Sequence, residues 1–401
     1  MTSTPNNPIH ANETNRTPFQ LSGHIYSYSD FEVSAKITTG VLHNFADEVE
    51  EDVAKMFLFD PSDNKEIRTM TIGCIWDARK IVVILRIWLY KATKTGNVRQ
   101  FQDSYFYIRH YDEKLRPIDK GRLLGIPAPV TGANTFGPED PRLVSVGSDL
   151  IVVFSMCDQW KANENPHIGF YGWNVKTATL LRPSIANHTM LSREKNWSPL
   201  VYGGVLHFVY TLTPLRVAKC NNKLRCHFVF KEKVMAHRRR SLDLRGGTPF
   251  EKYSGPYYIS VAHTGRKVNR TLIYVHGHIV LMRVDQWRVV YVSDVIRIDH
   301  GVLKNSWHPF WTSKSFIYPT GLLIESDDVI TIGVSVGDGM SHMIRIRGLK
   351  NLLKKVIDAD QNVEVPHNST SIRKYLYGIV EREMKYNVEI YSNETISQIN
   401  V

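Results

Sequence analysis

One phrase recurs along this 401-residue chain: a proline-bearing lead-in, an apolar strand, a polar turn and a second apolar strand. It reads Asp140-Pro-Arg-Leu then Gly147-Ser-Asp-Leu-Ile-Val-Val-Phe, and again Ser198-Pro-Leu-Val then Gly203-Gly-Val-Leu-His-Phe-Val-Tyr. It returns at Thr248-Pro-Phe with Gly255-Pro-Tyr-Tyr-Ile-Ser-Val, and at Tyr318-Pro-Thr-Gly-Leu-Leu with Asp327-Asp-Val-Ile-Thr-Ile. These lead-ins stand about 60 residues apart, near the length of a four-stranded blade. With an opening unit over 68–130 they predict an all-β, five-bladed β-propeller with a short N-terminal extension and minor helices. The blades fall near 68–130, 135–185, 195–240, 245–300 and 308–357, within one domain spanning 21–401.

Short β-branched and aromatic runs fill the rest, as at Ile81–Tyr90, Ser104–His110, Ile168–Trp173 and His227–Phe230. Helical periodicity is confined to Asn44–Met56, whose acidic run Asp47–Asp52 reads as a solvated face, and to Leu349–Ile357. Residues 1–20, rich in Pro, Asn and Thr, read as disordered. No apolar run approaches the ~20 residues of a membrane helix. The net charge of +11 is spread along the chain and not gathered in one tail. Charge of that kind suits an anionic substrate as well as a nucleic acid.

The densest chemistry lies in Gly137-Pro-Glu-Asp-Pro-Arg142. Its prolines give up backbone donors and fix the direction in which Glu139, Asp140 and Arg142 project, which suits a positioned acid or base. The alternatives are a turn-capping role for Asp140 and a mutual structural ion pair for Glu139 and Arg142.

This segment resembles the Glu-Asp-Pro-Arg motif of the β-mannoside phosphorylases and hydrolases, which are five-bladed β-propellers, and of the related eukaryotic β-mannosyltransferases. Further matches follow in order: Lys195-Asn-Trp-Ser-Pro199, Arg245-Gly-Gly-Thr-Pro249, the strand ending at His263, Tyr318-Pro-Thr-Gly-Leu322 and Gly337-Asp338. They span roughly 135–345. The stretch from Lys195 through Gly247 is most similar to the fungal β-1,2-mannosyltransferases, through Phe208-Val-Tyr-Thr-Leu-Thr-Pro-Leu-Arg216, Cys220, Cys226 and Leu244-Arg-Gly-Gly. Fungal members usually carry an amino-terminal membrane anchor and a larger luminal domain, neither of which is read here.

The resemblance implies an inverting transfer of mannose from GDP-mannose to a glycan or glycolipid, with Asp140 as the acid/base and no cofactor or metal. Glu139 and Arg142 would tune Asp140. Lys195, Arg245 and His263 would meet the departing phosphate, with Arg266 and Arg238–Arg240 as unmatched additions. Gly246 and Gly247 either admit backbone amides to phosphate oxygens or form only a turn. Asn196 stands within a matched motif. Trp197, Tyr318 and Trp307 either stack on sugar faces or pack blades, and Asp338 would bond mannose hydroxyls. The rival is a phosphorylase using phosphate or mannose 1-phosphate on the same pocket. A glycan-binding propeller without catalysis is the other alternative. A hydrolase would need a second carboxylate in a matched motif, and none stands there. Nucleic acid is not an expected partner. An anionic membrane surface is one use for Arg345, Arg347, Lys350, Lys354 and Lys355; solubility is the other.

Cys220 and Cys226 bracket a polar turn between apolar strands, so a hairpin would bring their sulfurs within reach. Seven glycosylation acceptors, at Asn12, Asn15, Asn187, Asn196, Asn269, Asn368 and Asn393, exceed the roughly three expected by chance. They point to the Golgi or another secretory lumen. Met1–Pro8 lacks the basic start and apolar run of a leader, which keeps the cytoplasm open. Gly333-Val-Ser-Val-Gly337 imitates a hydrolase elbow, but strand-like alternation continues past it. Asp358-Ala-Asp360 imitates a metal-binding acidic triplet and reads as a surface loop after a helix.

Overall fold

The strand Lys80–Lys91 shows why this chain builds blades. Ile81, Val83, Leu85, Ile87 and Leu89 enter one apolar cluster, while Val82 and Ile84 enter another. A strand apolar on both faces needs cover on both, and neighbouring blades supply it. A computed structural model describes residues 19–25, 32–57, 65–91, 103–128, 137–159, 167–233, 243–268, 271–296, 317–336, 340–362 and 369–379. Residues 1–18 of the expected disordered segment lie outside this set.

The result is a five-bladed β-propeller. Blade one is Lys65–Asp77, Lys80–Lys91, Asp103–Tyr111 and Arg122–Leu123; blade two is Glu139–Val146, Asp149–Gln159, His167–Asn174 and Thr179–Leu181. Blade three runs Ser198–Tyr202, Val205–Leu212, Leu215–Cys220 and Arg225–Lys231, with Ser184–Ile185 added at its edge. Blade four is Glu251–Ser254, Tyr257–Val268, Thr271–Arg283 and Arg288–Ser293. The fifth, Ile317–Ile324, Val329–Val336 and Met340–Arg347, takes its outer strand from the other end of the chain, because Glu32–Asn44 pairs antiparallel with Met340–Arg347. Phe19–Ile25 pairs with that strand and with Arg288–Ser293, joining blades four and five into one nine-stranded sheet. The apolar core is divided among five clusters, one in each gap between neighbouring blades.

The disulfide Cys220–Cys226 is formed, across a hairpin whose two cysteines are register partners. The helix Ala46–Phe57, started by Asn44 Oδ1 accepting from the Ala46 amide, corrects the reading of its acidic run as a solvated face. Glu48 accepts from the Tyr111 hydroxyl, Glu50 from the Thr69 amide and Asp52 from the Tyr107 hydroxyl, so these acids fasten the helix to blade one. Asp358-Ala-Asp360 is likewise not a loop. It lies in the helix Leu349–Gln361, and Asp360 is buried against Arg283, Arg288 and Tyr257 of blade four. Ser335 is buried within the strand Val329–Val336, so the elbow-like motif forms no strand-to-helix turn there.

Candidate active site

A side chain or a backbone group from every blade meets at Glu139, Asp140 and Arg142, where the first strand of blade two begins. In blade two the register of Glu139–Val146 slips between Glu139 and Arg142, and this bulge re-aims the residues within it. Asp140 sits there with φ of 56°, a left-handed conformation that a non-glycine residue adopts at some cost. Its Oδ2 accepts from the Tyr318 hydroxyl of blade five at 3.2 Å. Its other carboxylate oxygen takes no hydrogen bond from the described residues. Asp140 therefore does not cap a turn; among the described residues its side chain is held by one bond.

Glu139 and Arg142 do not pair with each other. Glu139 accepts from Lys195 Nζ at 2.6 Å and from Arg86 Nη2 at 3.3 Å, linking blades three, two and one. Burial alone would raise its carboxyl; Lys195 and Arg86, with Arg193 beyond them, hold it down at about 2. Burial likewise opposes the charge on Lys195, and Glu139 and Asp140 together leave its ammonium raised. Arg142 is fully buried, with Nε donating to the Gly247 carbonyl of blade four and Nη1 to the Asp140 carbonyl at 2.9 Å. It clamps the backbone that carries Asp140, and its Nη2 has no hydrogen-bond acceptor among the described residues.

Asn196, also left-handed at φ of 66°, accepts from Tyr318 at 2.5 Å. The Tyr318 ring lies 4.8 Å from His263, so its hydroxyl is committed to the cluster. His263 pairs its backbone with Arg245 through two hydrogen bonds of 2.8 and 2.9 Å. Burial, then the charges of Arg245 and Arg142, hold its imidazole well below the ordinary histidine range. It is thus a neutral group at pH 7, not the cation the sequence suggested. Arg245 is exposed and makes no ion pair among the described residues.

Three expected residues serve packing. Trp197 is 1% exposed and stacks on Phe170 at 4.7 Å, with Nε1 donating to Glu194, so it packs blades two and three and offers no face to a sugar. A Cβ on Gly246 would stand 2.2 Å from the Asn196 carbonyl, and one on Gly247 2.2 Å from the Val261 carbonyl. Those glycines serve close backbone packing inside the site wall. The glycosylation pattern at Asn196 is occupied by the Tyr318 bond and a fully buried Ser198, whereas Asn187 is exposed. Arg266 has its backbone opposite Tyr274, and its side chain is outside the described set. Arg238–Arg240, Trp307, Asp338 and the acceptors at Asn12, Asn15, Asn269, Asn368 and Asn393 lie outside the described residues.

Arg86 was not anticipated. It is 8% exposed, donates to Ser104 Oγ at 2.9 Å, and is the one charge inside the apolar run Ile81–Tyr90. A lone arginine in a doubly covered strand needs an anionic partner, and that is the signal that could have found it. Among the described residues around Lys195 and His263, Arg86, Arg142, Arg193, Lys195 and Arg245 outnumber Glu139 and Asp140. No group of metal-ligating side chains occurs among the described residues.

No family model matches this sequence. The chain is similar to Beta-mannosyltransferase 3 of Candida albicans, at 29% identity over 209 residues, covering 45% of this chain and 36% of the relative. It is also similar to Beta-mannosyltransferase 2 of Komagataella phaffii, at 27% over 279 residues, covering 62% and 43%. The matched region spans less than half the length of these curated relatives. In fold, the Beta-1,2-Mannobiose phosphorylase from Listeria innocua superimposes with a TM-score of 0.51 at 12% identity, over 75% of this chain and 95% of that one.

Proposed function

We propose that the protein is an inverting β-mannosyltransferase that moves mannose from GDP-mannose to a hydroxyl of a mannose-containing glycan or glycolipid, forming a β-1,2 linkage. The observation that carries this reading is the convergence of five blades on Asp140: Arg86 and Lys195 on its neighbour Glu139, Gly247 on Arg142, and Tyr318 on Asp140 itself. The similarity to named β-mannosyltransferases supports the same chemistry.

In this mechanism the acceptor oxygen attacks C1 of mannose from the face opposite the nucleotide, and the C1–O bond to the phosphate breaks. Asp140 takes the acceptor proton on its free carboxylate oxygen. The departing GDP carries growing negative charge, met by exposed Arg245 and by the Lys195 ammonium. Glu139 neutralises part of Lys195 and fixes its position. His263 enters as a neutral hydrogen-bonding group. The secretory pathway is the setting proposed for this transfer, in line with the fungal relatives. Among the described residues no helix is long and apolar enough to cross a membrane.

The test supplies a β-1,2-mannobiose acceptor with GDP-mannose, mannose 1-phosphate or inorganic phosphate in separate reactions. Elongation with GDP-mannose alone is the expected result. Turnover only with mannose 1-phosphate, or phosphorolysis only with phosphate, replaces the reading by a phosphorylase; binding of mannobiose without any turnover replaces it by a glycan-binding propeller.

A further inference from the structure

Two non-glycine residues at the channel mouth, Asp140 and Asn196, have left-handed backbones, and both aim their side-chain oxygens at one tyrosine hydroxyl. They come from different blades and lie 178 and 122 residues from Tyr318 in sequence. Asp140, in a conformation that costs a residue preceding proline, and Asn196, a residue type that adopts it readily, are thus brought to one oxygen atom. A phenol carries one proton, so it cannot donate fully to both acceptors. The 2.5 Å contact to Asn196 takes the larger share and the 3.2 Å contact to Asp140 the smaller.

We propose that Tyr318 is a positioning residue for the acid/base: its hydroxyl orients the Asp140 carboxylate, and Asn196 competes for the same proton, so that Asp140 receives only a share of it. A full hydrogen bond to a carboxylate stabilises the charged form and weakens the base, whereas no bond leaves the side chain free to turn. Sharing the proton between two acceptors avoids both losses. When Asp140 receives the acceptor's proton its carboxyl becomes a weaker acceptor, the Tyr318 hydrogen shifts toward Asn196, and the hydroxyl keeps an acceptor throughout. Burial above all, with Asp140 adding to it, keeps the phenol protonated far into alkali, so Tyr318 donates a hydrogen bond and does not itself exchange a proton. The other groups facing Asp140 are Lys195 from blade three and Arg142 from its own strand; Glu139, Arg86, Arg245 and neutral His263 complete the surroundings.

This inference rests on Asp140 being the acid/base, and its test is separable from that reading. Carboxyl ionisation is followed in the whole protein by carbon-13-labelled aspartate, with Asp140→Asn assigning the signal. Tyr318→Phe keeps the ring beside His263 and removes only the hydroxyl; Asn196→Gly keeps the left-handed backbone and removes only the competing acceptor. The Phe variant should move the Asp140 midpoint up by about one pH unit and the Gly variant should move it down by roughly half as much. In the transferase assay the acid limb of kcat/KM should follow, with kcat about tenfold lower for Tyr318→Phe and the Kd for GDP-mannose unchanged. A merely structural role would move both variants the same way or neither, and either result overturns the inference. Opposite shifts in a protein that transfers no mannose would uphold the tyrosine's role and remove only the transferase reading.

Discussion

Asp140 and Asp360 are both buried aspartates that accept from a tyrosine with arginine nearby, yet their surroundings claim them to different degrees. Asp360 rises from a regular helix and has both carboxylate oxygens engaged: Oδ2 by Tyr257 at 2.9 Å and Arg283 at 3.3 Å, Oδ1 by Arg288 at 2.6 Å. Asp140 rises from a bulge with a left-handed backbone, and a single phenol holds one of its oxygens. Of the cations near Asp140, Arg86 and Lys195 bond its neighbour Glu139, and Arg142 bonds backbone carbonyls. A structural charge is surrounded until nothing is left over; a reactive one is positioned through its surroundings and left partly unclaimed.

The largest effect that tests this contrast is on rate. Asp140→Asn should lower mannosyl transfer by about 1,000-fold while leaving the melting temperature and GDP-mannose binding near those of the parent. Near-normal turnover would place Asp140 in the same structural class as Asp360. The reciprocal change, Asp360→Asn, should leave kcat within twofold and destabilise the protein by about 4 kcal/mol in urea, because it strands Arg288 against the blade. Arg283 retains Asp285, which limits the loss. A variant with unchanged midpoint and lowered kcat would reverse the assignment.

The sequence was readable where a physical rule forced the residue type. Strand lead-ins such as Asp140-Pro-Arg-Leu and Ser198-Pro-Leu-Val announced the inner strands, since proline is tolerated at the edge that lines a channel. The ring closure was not readable, because the pairing of Glu32–Asn44 with Met340–Arg347 joins segments about 300 residues apart with no turn between them to mark it. Motif position brought Glu139, Asp140, Lys195, Asn196 and Tyr318 together correctly as neighbours, but could not tell a side chain that faces the channel from one that faces a blade. Trp197 is adjacent to Asn196 in the chain and points into the core. Charge state was also hidden: His263 looks cationic in a basic motif, and only its burial beside Arg245 and Arg142 shows that it is neutral.

Glu139 lies between the two aspartates, for it is as fully paired as Asp360 and yet adjacent to Asp140. A carboxyl held at about 2 in the folded protein, against 4.5 unfolded, adds stability that is present above pH 4.5 and lost as the pH falls through 2. The linkage is on the order of 2 kcal/mol once the partial exposure of Lys195 is allowed for. Glu139→Gln mimics the protonated acid in shape, so the parent and the variant should differ by that amount at pH 6 and converge toward pH 2 in urea unfolding. A gap that stays constant with pH would mean that Glu139 acts through packing and not through charge. If the curves converge while kcat at pH 7 falls by more than tenfold, the pairing that anchors Lys195 serves the leaving group as well as the fold. Glu139 then differs from Asp360 in function although both are fully paired, and the contrast is set by what the partner cation does next.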